Sequence, residues 1–259
     1  MLALQGVGVL VTRPRQQAAA LCQLLEAEGA STWRLPTVAI EAIGNVGEMV
    51  ARLGNLADFD VVIFTSANAV QFGVSLLDGQ SNVSLAAMGP ATARALHQVG
   101  YEAALQPGEK FDSESLLRHP RLEHLANQRI LIIKGRHGRQ FLEQELTRRG
   151  AQVTTAEVYQ RVAMMPNHAD LARLLDSFVA GQLQVITATS AEIGSNLLNL
   201  ATPALRAEFE RVHWLVPSER VARHLRECGL HAPLLQAESA EDHDLVAALV
   251  RWRAIESGA

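Results

Sequence analysis

The chain repeats itself, and that repetition limits its folds more than any other feature. Val9-Leu-Val-Thr-Arg-Pro14 leads into an amphipathic stretch ending at Gly29-Ala30. Ile130-Leu-Ile-Ile-Lys-Gly135 leads into a similar stretch ending at Gly150-Ala151. The run Val61 to Asn68 returns as Val185 to Glu192, and Pro90 is matched by Pro217. The offsets are 121 for Gly29 and Gly150, 124 for Thr65 and Thr189, and 127 for Pro90 and Pro217. Three matches in one order, with slow drift, imply a duplicated unit. Two such units form two lobes and hence a cleft, the usual setting of a small-molecule site.

A length of 259 residues accommodates two ordinary domains. The composition, 48% hydrophobic and 19% charged, is that of a globular chain. Apolar runs such as Val61 to Phe64 are too short to span a bilayer. The N-terminus enters a strand pattern without the basic start and long apolar stretch of an export signal. Two cysteines, Cys22 and Cys228, both within helical patterns, read as reduced core residues and suit a cytoplasmic location. A net charge of −4 with few aromatics argues against nucleic acid as the main partner.

Short apolar or β-branched runs alternate with helical patterns. Gly8 to Thr12 reads as a buried strand, and Gln16 to Glu28 as a helix placing Ala18, Leu21, Cys22 and Leu25 on one face. Val61–Thr65, Leu85–Met88, Ile130–Ile133, Val185–Thr189 and Val212–Val216 are further strands. Ser66-Ala-Asn68 reads as a turn before a helix over 69–77, and Gly89-Pro90 as a turn before a helix over 91–99. This alternation predicts an α/β fold of two similar, doubly wound, flavodoxin-like parallel sheets. Leu35 to Ile40 and Ala156 to Val162 break the pattern at equivalent points and read as connectors, near 36–42 and 156–164.

Ligands of open α/β sheets bind beyond the carboxyl ends of the strands. Those ends carry Thr12-Arg13, Thr65-Ser66-Ala67-Asn68, Gly89 with Thr92, Lys134-Gly135-Arg136, Thr189-Ser190 and Ser218. Any one hydroxyl could simply cap a helix. Together with the cations, the six ends suit an anionic ligand held at helix N-termini. No Gly-x-Gly-x-x-Gly follows a strand, no Gly-x-Ser-x-Gly elbow occurs, and Lys134-Gly-Arg-His-Gly138 matches a phosphate loop in composition only. The nine histidines show no ligand spacing, and Glu241-Asp-His-Asp244 reads as the charged first turn of the last helix.

The chain resembles the uroporphyrinogen-III synthase family along nearly its whole length. The resemblance rests on Val11-Thr-Arg-Pro14, Phe64-Thr-Ser-Ala-Asn-Ala-Val70, Met88-Gly-Pro-Ala-Thr-Ala-Arg94, Asp112-Ser-Glu-Ser-Leu-Leu117, Lys134-Gly-Arg-His-Gly-Arg139, Arg149-Gly-Ala151 and Glu157-Val-Tyr-Gln-Arg161. Ala188 to Glu192 and Val216 to Glu219 follow the family pattern only loosely. The resemblance implies two lobes, 1–35 plus 165–259 and 38–162, joined by a two-stranded connector. It implies a cyclising hydro-lyase that closes hydroxymethylbilane to uroporphyrinogen III, inverting ring D and losing water, without cofactor or metal. It also implies Tyr159 as the acid. Thr12, Arg13, Ser66, Ala67, Asn68, Gly89, Thr92, Lys134, Gly135, Arg136, Ser190 and Ser218 would bind the substrate, helped by Arg139. A cytoplasmic monomer is expected. The competing readings are a non-catalytic two-lobed receptor for an anionic small molecule and a sugar-phosphate or nucleotide enzyme.

Overall fold

The computed structural model describes residues 2–44, 46–77, 83–108, 112–138, 140–256 and 258. Its strands are β1 (Gly8–Val11), β2 (Ser31–Arg34), β3 (Val38–Ala42), β4 (Val61–Phe64), β5 (Ser84–Ala87), β6 (Arg129–Gly135), β7 (Gln152–Ala163), β8 (Val185–Thr187), β9 (His213–Val216) and β10 (Leu234–Gln236). The helices are α1 (Arg15–Ala27), α2 (Val46–Leu53), α3 (Ala67–Gly73), α4 (Pro90–Gln98), α5 (Ser113–Leu116), α6 (Phe141–Arg148), α7 (His168–Val179), α8 (Ala191–Leu200), α9 (Pro203–Phe209), α10 (Glu219–Glu227) and α11 (Asp242–Glu256).

The chain divides into two compact units. Met1–Ala39 with Val162–Ala259 forms one, and Ile40–Arg161 forms the other. The first unit holds the sheet β2-β1-β8-β9-β10, whose neighbouring strands pair in parallel. The second holds β3-β7-β6-β4-β5, parallel from β7 through β5. Leu105 adds a parallel bridge to Ala86, on β5.

The duplication holds strand by strand. β2-β1-β8-β9 corresponds to β7-β6-β4-β5, although the two copies use those positions in different chain order. Val9 pairs with Val185 in one, and Ile130 with Val61 in the other, at the same offsets of 121 and 124 that the sequence shows. The helix ends repeat bond by bond. Gly29 and Gly150 both adopt positive φ, at 92° and 93°. Ala30 and Ala151 then donate their N–H groups to Leu25 and Leu146. Only glycine adopts that conformation without strain, so each helix stops there.

Each sheet is covered on both faces, which explains strands without polar alternation. In the first unit, Leu10, Ile186 and Trp214 pack with α7 to α10, while Val9, Val11, Val185 and Leu215 pack with α1 and α11. In the second, Val62, Phe64, Leu131 and Ile133 face α3 and α4, and Val61, Ile63, Ile130 and Ile132 face α5 and α6. No helix among the described residues is long and apolar enough to cross a membrane.

Several expectations need correction. Ala67 and Asn68 already belong to α3, because Ser66 caps the helix and it starts two positions earlier than the turn reading allowed. The two segments read as connectors are strands: β7 runs over twelve residues, paired to β6 from Gln152 to Tyr159. Val38–Ala42 of the other connector is likewise a strand, next to β7. Cys22 is buried, but Cys228 is exposed at the end of α10, so only the first is a core thiol.

Candidate active site

The carboxyl ends of the second unit's strands bring together most of the expected residues. β4 ends at Phe64, and Ser66 follows in extended conformation, accepting the Ala69 N–H at 3.0 Å. β6 ends in Lys134 and Gly135, and Tyr159 lies opposite Gly135 on β7. The Tyr159 hydroxyl lies 3.1 Å from the Ser66 oxygen. Phe72, on α3, stacks on the Tyr159 ring at 6.0 Å between centroids. Tyr159 as a whole is only 7% exposed.

A bulge aims the tyrosine. Ile133 pairs with Ala156 and Lys134 with Glu157, but Gly135 pairs with Tyr159, leaving Val158 as an extra residue. Consecutive residues of a regular strand face opposite ways, so a tyrosine next to Val158 would point away from it. Here Ala156, Val158 and Tyr159 all belong to one apolar cluster. The inserted residue resets the alternation and turns the phenol toward α3.

The cations are less free than their sequence suggests. Lys134 is 8% exposed, and its ammonium lies 3.5 Å from the half-exposed Glu143 carboxylate. Arg136 is more open. Its guanidinium donates to Gln160 at 3.0 Å and lies 3.6 Å from Glu157, while its backbone N–H donates to the Tyr159 carbonyl at 2.8 Å. Thr92, on α4, is buried, and among the described residues its hydroxyl makes no hydrogen bond. Gly89 caps the same helix in extended conformation, with Pro90 as first helical residue. Arg139 lies outside the described residues.

The first unit places its candidates differently. The Thr12 hydroxyl is fully buried and donates to the Thr187 carbonyl, stitching β1 to β8. Arg13, equivalent to Lys134 by the offset of 121, is also 8% exposed. Its guanidinium donates to the Asp242 carboxylate and to the Ala240 carbonyl, fastening the start of α11. Ser190 and Ser218 cap α8 and α10, accepting the N–H groups of Ile193 at 3.2 Å and Val221 at 3.5 Å. Thr12 and Arg13 thus carry structural bonds that sequence reading did not foresee. The counter-ions Asp242 and Glu143 and the stacking partner Phe72 went unnoticed because nothing in one sequence ties them to their partners. Among the described residues, no cluster of three His, Cys, Asp or Glu side chains could hold a metal.

Largely parallel sheets whose strand ends carry hydroxyls, cations and a partnered tyrosine have the form of an α/β protein with a small-molecule site beyond its strand ends. A family model described as uroporphyrinogen-III synthase HemD matches residues 19–247. The chain belongs to that family of lyases of tetrapyrrole biosynthesis. The uroporphyrinogen-III synthase of Escherichia coli (strain K12) is 32% identical over 254 residues, covering 94% of this chain and 100% of that one. That of Salmonella typhimurium is 34% identical over 255 residues, covering 94% and 100%. Among solved structures, the Helicobacter pylori 26695 synthetase superposes with a TM-score of 0.64 at 14% identity, covering 95% and 99%. A mutant synthase of the extreme thermophile Thermus thermophilus does so with 0.58 at 23% identity, covering 97% and 99%. These structures share the fold. Family membership also decides against the non-catalytic receptor.

Proposed function

We propose that the chain closes hydroxymethylbilane to uroporphyrinogen III with inversion of ring D and loss of water, and that Tyr159 donates the proton that leaves with the hydroxyl. Family membership supports the reaction, and the Tyr159–Ser66 pair is the observation that carries the assignment.

Loss of the terminal hydroxyl leaves an electron-poor azafulvene. The substituted carbon of ring D attacks it to form a spiro intermediate, which fragments and recloses at the other position, and the proton that this last carbon loses restores the acid. The hydroxyl leaves as water only if a proton reaches it. A phenol carries a hydroxyl proton that it can donate to a leaving oxygen in hydrogen-bond reach. The pair has two hydroxyl protons and one mutual hydrogen bond, with the Ser66 oxygen also accepting the Ala69 N–H. When Ser66 donates to Tyr159, the phenol proton is left to point outward at the substrate. Two hydroxyls in contact therefore give one directed donor.

The bilane also closes unaided to the wrong isomer, so the protein must favour one fold of the substrate. Orientation is the main catalytic device. A hundredfold preference needs only about 2.7 kcal/mol, at about 1.36 kcal/mol per decade. The substrate carries carboxylates while the protein has a net charge of −4, so recognition is local. Within the second unit, Lys134, Arg136, the hydroxyl of Thr92 and the N–H groups opening α4 are the groups suited to it. The protein is also proposed to be cytoplasmic and monomeric. Cys22 and Cys228 are both free thiols, in keeping with a reducing compartment.

Freshly prepared hydroxymethylbilane is the direct test, with product isomers resolved after oxidation. The type III isomer should dominate. Type I alone, as in an enzyme-free control, would overturn the assignment.

A further inference from the structure

We propose that Gly135 is a positioning residue for Tyr159: its missing side chain is the space in which the phenol lies, and any β-carbon there displaces the acid. The inference rests on the reading of Tyr159 as the proton donor and adds a second residue that acts only through it.

A β-carbon at Gly135 would sit 2.5 Å from Cζ, 2.7 Å from Cε2 and 2.9 Å from the hydroxyl oxygen of Tyr159. All three atoms lie at the reactive end of the ring. Carbon atoms in contact prefer about 3.5 to 4.0 Å, so the phenol would have to retreat by about 1 Å. The Gly135 backbone is not in the left-handed region, so the cost of a side chain there is steric rather than conformational.

The strands themselves cannot take up the shift. Gly135 and Tyr159 are paired partners, the Tyr159 carbonyl accepts the Arg136 N–H at 2.8 Å, and the Val158 carbonyl accepts the Ile43 N–H at 3.1 Å. Phe72 stacks against the same ring. What can move is the phenol, and moving it alters the 3.1 Å contact with Ser66. A displacement of about 1 Å in a reacting group can cost roughly 10²-fold in rate. The glycine and the bulge beside it thus form one device. The bulge turns Tyr159 to the Ser66 side, and Gly135 lets it approach.

The test is a double-mutant cycle with Gly135→Ala and Tyr159→Phe, read as kcat and KM for hydroxymethylbilane. Gly135→Ala is expected to lower kcat by about 10- to 100-fold with KM within about threefold. In the Tyr159→Phe background the same change should cost less than about threefold, because no hydroxyl remains to misplace. The chain has only two tyrosines, so 3-fluorotyrosine labelling gives two ¹⁹F signals, assigned with Tyr101→Phe. Gly135→Ala should move the Tyr159 signal and leave that of Tyr101 in place. An unshifted Tyr159 signal, or an undiminished loss in the Tyr159→Phe background, overturns the proposal. Wild-type turnover of Tyr159→Phe alone overturns instead the reading of Tyr159 as acid. If Gly135→Ala does not fold, Gly135→Ala with Tyr159→Ala should recover a cooperative melt, since the clash is gone. Failure of both to fold would mean that the backbone, not the phenol, requires the glycine.

Discussion

The hydroxyl oxygens of Tyr159 and Ser66 lie 3.1 Å apart although 93 residues separate them in the chain. Ser66 holds its place by capping α3, and Tyr159 reaches it from β7 through the bulge at Val158. The contact therefore joins the start of α3 to the bulged stretch of β7, with one proton left for a third group.

Removing the phenol hydroxyl should cost rate, not fold. Tyr159→Phe is expected to lower kcat by about 10- to 100-fold, within the range of general acid catalysis, and to cost only about 1 kcal/mol of stability. Stopped-time assays with the spontaneous closure subtracted would measure it. An unchanged rate removes Tyr159 from the chemistry.

Lys134 should act in binding. Its counter-ion among the described residues is Glu143, at 3.5 Å and partly exposed, so an anionic substrate can compete for it. Lys134→Met is expected to raise KM by about tenfold, or about 1.4 kcal/mol, with kcat nearly retained. A substrate-dependence curve that superposes on the wild type would exclude the lysine.

Arg13 occupies the equivalent place in the other copy, yet its guanidinium is engaged by Asp242 and the Ala240 carbonyl. Arg13→Met leaves both acceptors without their donor. Urea unfolding should show a loss of about 2 kcal/mol, the scale of hydrogen bonds to a charged group, since the Asp242 carboxylate is still partly open to water. Equal midpoints for variant and parent would contradict this anchoring role.

Acid stability should depend on Glu145. Hydrogen bonds from Arg148 and Arg149 lower its carboxyl to about 2. An unfolded glutamate titrates near about 4.3, so the folded state binds its proton less readily. The contribution is present above about pH 4.3 and is lost as pH falls toward about 2. Arg149 also donates to the carbonyls of Leu117 and Leu122, so the loss would reach beyond α6. Glu145→Gln should flatten the fall of the urea midpoint between about pH 5 and about pH 2. Parallel curves for the two proteins would sink the linkage.

Much of this was open to a reader of the chain alone. The buried strands, the two glycine stops and the repeat offset are local matters, set by side-chain period and backbone conformation, and they reappear in place. The offset even paired Arg13 with Lys134. It could not show that one is tied down by two acceptors while the other meets a partly exposed carboxylate, because Asp242 and Glu143 are chosen by packing. Nor could it show Phe72 beneath Tyr159, since stacking partners on α3 and β7 meet only when the sheet forms.

Two similar α/β units, and the polar groups that end their strands, follow from the order of residues in the chain. The direction in which Tyr159 faces follows only from the assembled sheet. Strand period assigns it to the side opposite Val158, and one extra residue against β6 reverses that. Local periodicity cannot register a pairing shift, because register is settled between strands and not within one.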